Sequence, residues 1–449
     1  MPHFAEGEEA VRRMLAAMRL PSVDALFDDI PKSVRTQLNL PKGQSELAVR
    51  RRAAATLGRN RNALAAPHFL GAGIYHHHSP PEVRYLASRS EFLTSYTPYQ
   101  SEISQGMLQA IFEFQTMVCE LTGMDAANAS MYDGASALAE AALLSARATD
   151  RNTILLPRAL FWEKRSCIEN YCRSFPLRIV EYGYDARTGE ADLADLSAKL
   201  TSDVAGVVVG SPNFFGLFES RGPEIVQLAH ARGALALFDV NPISLGLQKG
   251  PGAYGADVVV GEGQCLGQDP GFGGPGLGLF AVRKEHVRRM PGRIVGQTVD
   301  ARGDRAFCLT LQTREQHIRR DKATSNICTN EGLNALSAAI YLACVGGKGL
   351  ARIAKVNATR ARAVARRIAR LPGYRAPAFE GFHFNEFVVR HPRPAADVNE
   401  RLNRQGLHGG LSLARQFPEL ADGAVYCVTE TTTDEAIERL VGALSEVRA

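Results

Sequence analysis

The chain has 449 residues, 45% hydrophobic and 22% charged, with 41 Gly and 22 Pro. That balance excludes a disordered segment, a fibrous repeat and a lone recognition motif. Lys and Arg total 52 against 47 Asp and Glu, and the formal charge of +5 is spread too thinly for a nucleic-acid binder.

Residues 1–65 read as a polar helical arm, with Val11, Met14, Leu15 and Met18 at helical spacing. The opening MPHFAEGEEAVRRML lacks an apolar leader core, and no run approaches the roughly 18 apolar residues of a membrane span. A soluble, cytoplasmic protein without a membrane partner is expected. From Arg59 to Gln105 both periodicities fail, and Pro, Gly, Tyr, Ser and His take over, as in YLASRSEFLTSYTPYQSEIS. Irregular stretches of that length inside a compact chain are often functional. His76, His77 and His78 stand in this stretch. Consecutive side chains diverge and no Cys or acid follows at ligand spacing, so no metal site is expected. The eight cysteines contain no CxxC pair and read as reduced.

A helix is expected over Ser104–Leu121, carrying an apolar stripe from Met107 to Leu121, with Gly123 placed to stop it. Next, NASMYDGASALAEAALLSARA runs from small polar residues into an Ala/Leu-rich helix beginning near Gly134. Its free N–H groups and macrodipole favour an anion such as phosphate. Short, continuous apolar runs follow at Thr153–Leu156, Leu177–Tyr182, Val204–Val209, Ala234–Phe238, Asp257–Val260 and Leu277–Val282, with a helix over Glu224–Arg232. Unbroken apolar strands alternating with helices indicate a mainly parallel sheet covered on both faces, an α/β doubly wound core. Ligands bind beyond the carboxyl ends of such strands, where Asp239 falls. Residues 66–330 make the large domain in this reading, and 331–449 a smaller C-terminal α/β domain. The latter has helices over Glu331–Cys344 and Leu350–Leu371, strands in HFNEFVVR and AVYCV, and a last helix opened by Thr432 with Glu435 three positions on.

An anion-binding helix start, an Asp at a strand end and a Gly-rich loop, GEGQCLGQDPGFGGPG, occur in that order. The order resembles the large domain of the aspartate-aminotransferase-like (type I) pyridoxal-phosphate enzymes. That resemblance implies a helix start holding the cofactor phosphate, an Asp paired with the pyridine nitrogen, and an imine-forming lysine after the next strand. From Asp257 to Gly278 there is no Lys, and Gln264 occupies its expected place. A glutamine cannot form an imine. Without the lysine, Asp239 can also be read as a turn or helix-cap residue.

YTPYQSEISQGMLQAIFEFQTMVCELTGMDAANASMYDGASALAEA, GVVVGSPNFFG, GEGQCLG, GGPGLGLFAVR, SNICTNEGLNAL and CVTETTTDEAIERLV together are similar to the N-terminal subunit of glycine decarboxylase, the P-protein of the glycine cleavage system. The resemblance runs from about residue 65 to the end. It implies a chain lacking the Schiff-base lysine, paired with a lysine-bearing second subunit in an α2β2 heterotetramer. Pyridoxal phosphate is then expected on the partner, glycine is decarboxylated, and the aminomethyl group passes to the lipoyl arm of H-protein. By the same resemblance Tyr96, Tyr99, Gln100 and Glu102 of YTPYQSE reach the shared active site, with interface packing as the alternative. By the same resemblance Asn128, Ser130, Tyr132, Asp133, Gly134, Ser136 and Asp239 stand where the family holds its cofactor, as a vestigial pocket or a structural turn. The alternatives are a self-sufficient lyase or aminotransferase using Lys249 or Lys322, and a scaffold that has lost chemistry.

Overall fold

The structure, a computed structural model, describes residues 7–36, 39–60, 66–93 and 97–447. Contacts divide the chain into two units, residues 1–62 and 63–449. In the first, the helices Glu8–Met18 and Glu46–Leu57 bury no residue, and Val11, Met14 and Met18 are exposed.

The second unit is built on a seven-stranded sheet of β1 (Ala126–Ala127), β2 (Thr153–Pro157), β3 (Arg178–Tyr182), β4 (Val204–Ser211), β5 (Leu235–Val240), β6 (Val258–Glu262) and β7 (Gly278–Val282), in the order β1-β7-β6-β5-β4-β2-β3. The pairs from β3 through β6 are parallel, and β7 runs antiparallel to both its neighbours. Successive side chains go to opposite faces. Leu155, Val207, Val209, Phe238 and Val259 pack with Phe114, Val118, Tyr341 and Leu342, while Ile154, Leu156, Val208, Leu237 and Val260 pack with Ala137, Leu138 and Ala141. Both faces are covered by helices, so the strands need no polar alternation. The expected mainly parallel core is what forms. The hairpin of β8 (Ile294–Val299) and β9 (Arg305–Thr310) has no forerunner among the apolar runs, because Gly296, Gln297 and Thr298 interrupt the first strand and Arg305 and Thr310 bound the second.

Gln105–Thr122 forms the expected helix, ended by Gly123 at φ 72°. The two helices expected after residue 330 lie within Gly332–Ile368 and meet at Gly346, whose φ of 59° and ψ of 174° are not helical. By length and composition this helix could cross a membrane, yet Ala335, Leu336, Ala338, Tyr341 and Leu342 are buried in the core. A three-stranded antiparallel sheet follows, from β10 (Glu386–Arg390), β11 (Leu411–Ser412) and β12 (Gly423–Cys427) in the order β10-β12-β11. The last helix, Asp434–Ser445, is capped by Thr433 rather than Thr432. Thr432 Oγ1 instead accepts from the Thr429 N–H, closing the preceding turn.

The SPNFFGLF loop after β4 is fastened to this small sheet. Phe214, Phe215 and Leu217 pack with Phe379, Val388, Phe417 and Val425, and Phe384 N–H donates to Gly216 O at 2.9 Å. Gly216 has φ 83°, and a Cβ there would lie 2.2 Å from Glu386 O. Gly216→Ala combines left-handed strain with a backbone clash, and is expected to destabilise the chain by about 2–3 kcal/mol. Urea denaturation of the variant checks it, and a loss under about 0.5 kcal/mol would contradict the packing role.

Candidate functional site

The carboxyl ends of β5 and β6 present Asp239, which is buried, and Glu262, which is half-buried. Each has an internal counterpart. Lys164 lies in the first turn of helix Trp162–Cys172, and its Nζ sits 2.7 Å from both Asp239 oxygens. Only 7% of its side chain and 2% of that of Asp239 is exposed, and Nζ also lies 5.0 Å over the Phe161 ring. Burial pushes the Asp239 carboxyl up against the opposing pull of Lys164. Burial likewise works against the Lys164 ammonium, but Asp239, Glu163 and Glu262 outweigh it and hold its pKa above the ordinary lysine value. With Nζ centred on both carboxylate oxygens, the two groups meet as a buried pair.

Glu262 occupies the N-terminus of helix Gly134–Thr149. Its Oε2 accepts from Gly134 N–H at 2.8 Å, and its Oε1 from Leu277 N–H and Gln264 N–H, each at 2.9 Å. Burial raises this carboxyl, while the three N–H groups and Lys164 counteract. A Cβ at Gly134 would come 2.8 Å from Glu262 N, so glycine is what admits the strand end here. Asp133 caps the same helix, accepting from Ser136 N–H at 2.7 Å in a capping box with the Ser136 hydroxyl. Gln264 is buried; its Oε1 accepts from Tyr75 N–H at 3.2 Å and its Nε2 donates to Gln268 O at 2.6 Å.

Pyridoxal phosphate would need an anion seat, an acid free for its ring nitrogen, an amine and room. The chain's own carboxylate fills the seat, its own ammonium holds the acid, and Gln264 brings no amine. The cavity among Gly73, Tyr75, Phe161, Lys164, Asp239 and Glu262 measures ≈20 Å³, about enough for one water molecule and far below the ~300 Å³ at which small-molecule sites begin. The residues present do not fit the cofactor. Lys249 and Lys322 are exposed, and the Cys265 thiol is buried and pushed up by that burial.

Asn128 is buried and its Nδ2 donates to Pro291 O at 3.1 Å. Ser130 Oγ accepts from Glu331 N–H at 3.1 Å, and Tyr132 is half-buried. Tyr99 of the YTPYQSE motif reaches this segment through Arg293, whose carbonyl accepts from Ala129 N–H at 2.8 Å. Tyr99 is 53% exposed, stacked under the Arg293 guanidinium at 4.8 Å and hydrogen-bonded to it through its hydroxyl. Gln100 and Glu102 are exposed, and Tyr96 lies outside the described residues.

Residues 71–78 engage a further buried acid, Glu386. Glu386 accepts from the Tyr75 hydroxyl at 2.7 Å and from Ala72 N–H at 2.6 Å, and burial pushes its carboxyl up to about 7. Burial also raises Glu219 to about 7. With a folded value above the unfolded ~4.3, each group contributes stability that is fully present below about pH 4.3 and lost as pH rises through about 7. Between pH 5 and 8, Glu386→Gln is expected to lose about 2–3 kcal/mol less than the parent chain, with Glu219 supplying the remaining slope. Urea midpoints at the two pH values test this, and parallel losses would contradict it.

Lys164, Glu262, Glu386 and the His77–Glu430 pair, 2.9 Å apart, were not picked out by motif. Glu262 alone left a trace, an acid directly after the apolar run VVVG.

A family model described as "Glycine cleavage system P-protein" matches residues 1–444. The chain is 48% identical to the "Probable glycine dehydrogenase (decarboxylating) subunit 1" of Desulfitobacterium hafniense, over 100% of this chain and 99% of that protein. It is 45% identical to the protein of that name from Thermococcus kodakarensis, over 99% and 98%. A crystal structure of glycine decarboxylase (P-protein) of the glycine cleavage system, in inhibitor-bound form, superposes with a TM-score of 0.91 at 41% identity, covering 99% of this chain and all of the other. The sphingosine-1-phosphate lyase of Burkholderia pseudomallei shares the fold alone, with a TM-score of 0.67 at 15% identity over 92% and 93%.

Proposed function

The chain belongs to the glycine cleavage system P-protein family, and from that premise we propose that it is the lysine-free subunit of a two-chain glycine decarboxylase. In this reading a second subunit carries the Schiff-base lysine and the pyridoxal phosphate, which supplies the electron sink for loss of CO₂. The complex takes glycine and delivers the aminomethyl group to the lipoyl arm of H-protein, in the cytoplasm, as an α2β2 heterotetramer. Residues 66–330 and 331–449 act as large and small domains, with 1–65 as an arm.

The observation that carries the proposal is the filled pocket. Lys164 and Glu262 satisfy the two groups a cofactor would otherwise engage, so this chain contributes shape and surface rather than an imine. Two-fold pairing of like folds gives the partner a neighbour built to the same plan. The exposed Tyr99, Gln100 and Glu102, with Tyr96, are the residues proposed to reach the partner's site.

The test is borohydride reduction with pyridoxal phosphate, on the chain alone and with its lysine-bearing partner, followed by glycine-dependent CO₂ exchange with lipoylated H-protein. Trapping on the partner only, with exchange requiring both chains, is expected. Cofactor trapped on this chain alone would overturn the reading. Tyr96→Phe is expected to lower turnover of the complex about tenfold or more, and unchanged kinetics with normal assembly would remove Tyr96 from the site.

A further inference from the structure

The helical stretch that follows Gly346 carries a stripe of one sign of charge. Between Glu331 and Glu380 the chain has no Asp or Glu. Over the same stretch Arg352, Lys355, Arg362, Arg366 and Arg370 are all exposed. With Thr359 standing between Lys355 and Arg362, they recur at steps of three and four residues, and Arg370 continues the series just past the helix end at Ile368. Such steps keep side chains on one face. The opposite face is spent in the core through Ala354, Ala361, Val364, Ala365 and Ile368. From Arg352 to Arg366 the stripe runs about 21 Å.

The neighbouring acids are mostly committed elsewhere. Arg360 and Arg367, on an adjoining face of the same helix, donate to Asp434 at 2.7 Å and to Glu438 at 2.6 Å, and Glu380 pairs with Arg187. The last helix holds one further acid, the exposed Glu435. Arg352, Lys355, Arg366 and Arg370 have no ion-pair or hydrogen-bond partner among the described residues. Like charges at these steps destabilise a helix, so the stripe costs the chain on its own and gains only against opposite charge. Beside it the Arg362 guanidinium lies 3.7 Å over the ring of Phe382, which is itself stacked on Phe218 at 5.3 Å. Covered in this way, the ring offers no platform for a nucleobase. The exposed residues between the cations are Thr359, Ala363 and Ala369, with no large apolar side chain to enter a bilayer. Small residues between guanidinium forks instead let a protein surface come close, and the forks match carboxylates.

We propose that this face docks an acidic helix of a partner protein, whose carboxylates, at matching steps of three and four residues, meet Arg352, Lys355, Arg362, Arg366 and Arg370. The surface shares no residue with the filled pocket, and the inference does not depend on the glycine decarboxylase reading.

The probe is a synthetic Ala-based peptide of about 18 residues, long enough to span the stripe, with Glu at those steps. Its controls are the same peptide with Gln for Glu, and one of the same composition with its Glu residues spread around the helix. Calorimetric titration of the full chain at about 50 mM salt is expected to show one saturable site for the Glu peptide, at least about tenfold tighter than for either control. The double variant Arg352→Ala with Arg366→Ala should weaken it at least about tenfold, as should about 200 mM salt. Alanine is the best helix former, so this variant keeps the helix and reports on binding alone. Arg404→Ala, which removes an arginine paired with Glu400 on another helix, should leave the affinity unchanged. Absence of saturable binding, equal affinity for either control peptide, or undiminished affinity in the double variant would each overturn the proposal. So would tighter binding of a DNA duplex of about 20 base pairs, or of phosphatidylserine vesicles, than of the Glu peptide.

Discussion

Replacing Lys164 by Met is expected to destabilise the chain by about 3–5 kcal/mol, a large share of the stability of any single domain. The reason is what stays behind. Asp239, 2% exposed, loses the only hydrogen-bond donor it has among the described residues, and must remain charged in an apolar surround or take up a proton. The double variant Lys164→Met with Asp239→Leu removes both charges, and should recover most of the loss, since paired buried charges are often replaceable by apolar residues of similar volume. Urea denaturation of the parent, both singles and the double closes the cycle, and a coupling below about 1 kcal/mol would mean the pair does not hold the pocket shut. The functional consequence lies in the same cycle. A pocket held shut by its own ions keeps the ends of β5 and β6 fixed without a cofactor, which suits a subunit that serves as a rigid neighbour.

The core of the fold was legible because its strands are buried on both faces. Runs such as VVVG and ALALF carry no polar interruption, and only a two-sided environment selects that. The start of helix Gly134–Thr149 was legible for a similar reason, since Asp133, Gly134 and Ser136 form a local capping pattern. Its anion was not. Glu262 reaches it from 128 positions away, and nothing in a linear pattern distinguishes a strand-end acid that turns inward from one facing solvent. Lys164 was hidden more completely, because WEKRS reads as an exposed helix start and its partner lies 75 residues on. The absence of lysine from 257 to 278 could be read directly, whereas the residues that replaced the cofactor's charges required the fold. The break at Gly346 was legible, because the pattern suggested two helices and the backbone leaves the helical region at that glycine.

Removing the carboxylate of Glu262 leaves three donors facing inward. Glu262→Ala is expected to cost about 3–5 kcal/mol, because the N–H groups of Gly134, Gln264 and Leu277 lose charge-assisted bonds of 2.8 to 2.9 Å in a region closed to bulk water. The same change frees the Gly134 N–H at a helix N-terminus whose remaining carboxylate is the Asp133 cap. Such a terminus accepts phosphate readily, so about 10 mM inorganic phosphate should raise the urea midpoint of Glu262→Ala by binding the native state alone. The parent chain, whose own carboxylate already holds those donors, should not respond. Glu262→Gln provides the intermediate case, since its amide oxygen can still satisfy two donors while its NH₂ opposes the third. It is expected to be destabilised by about 2 kcal/mol and to gain nothing from phosphate. If the parent and Glu262→Ala respond to phosphate equally, the anion is acting elsewhere on the surface, and Glu262 is not what closes this helix end against a phosphate group.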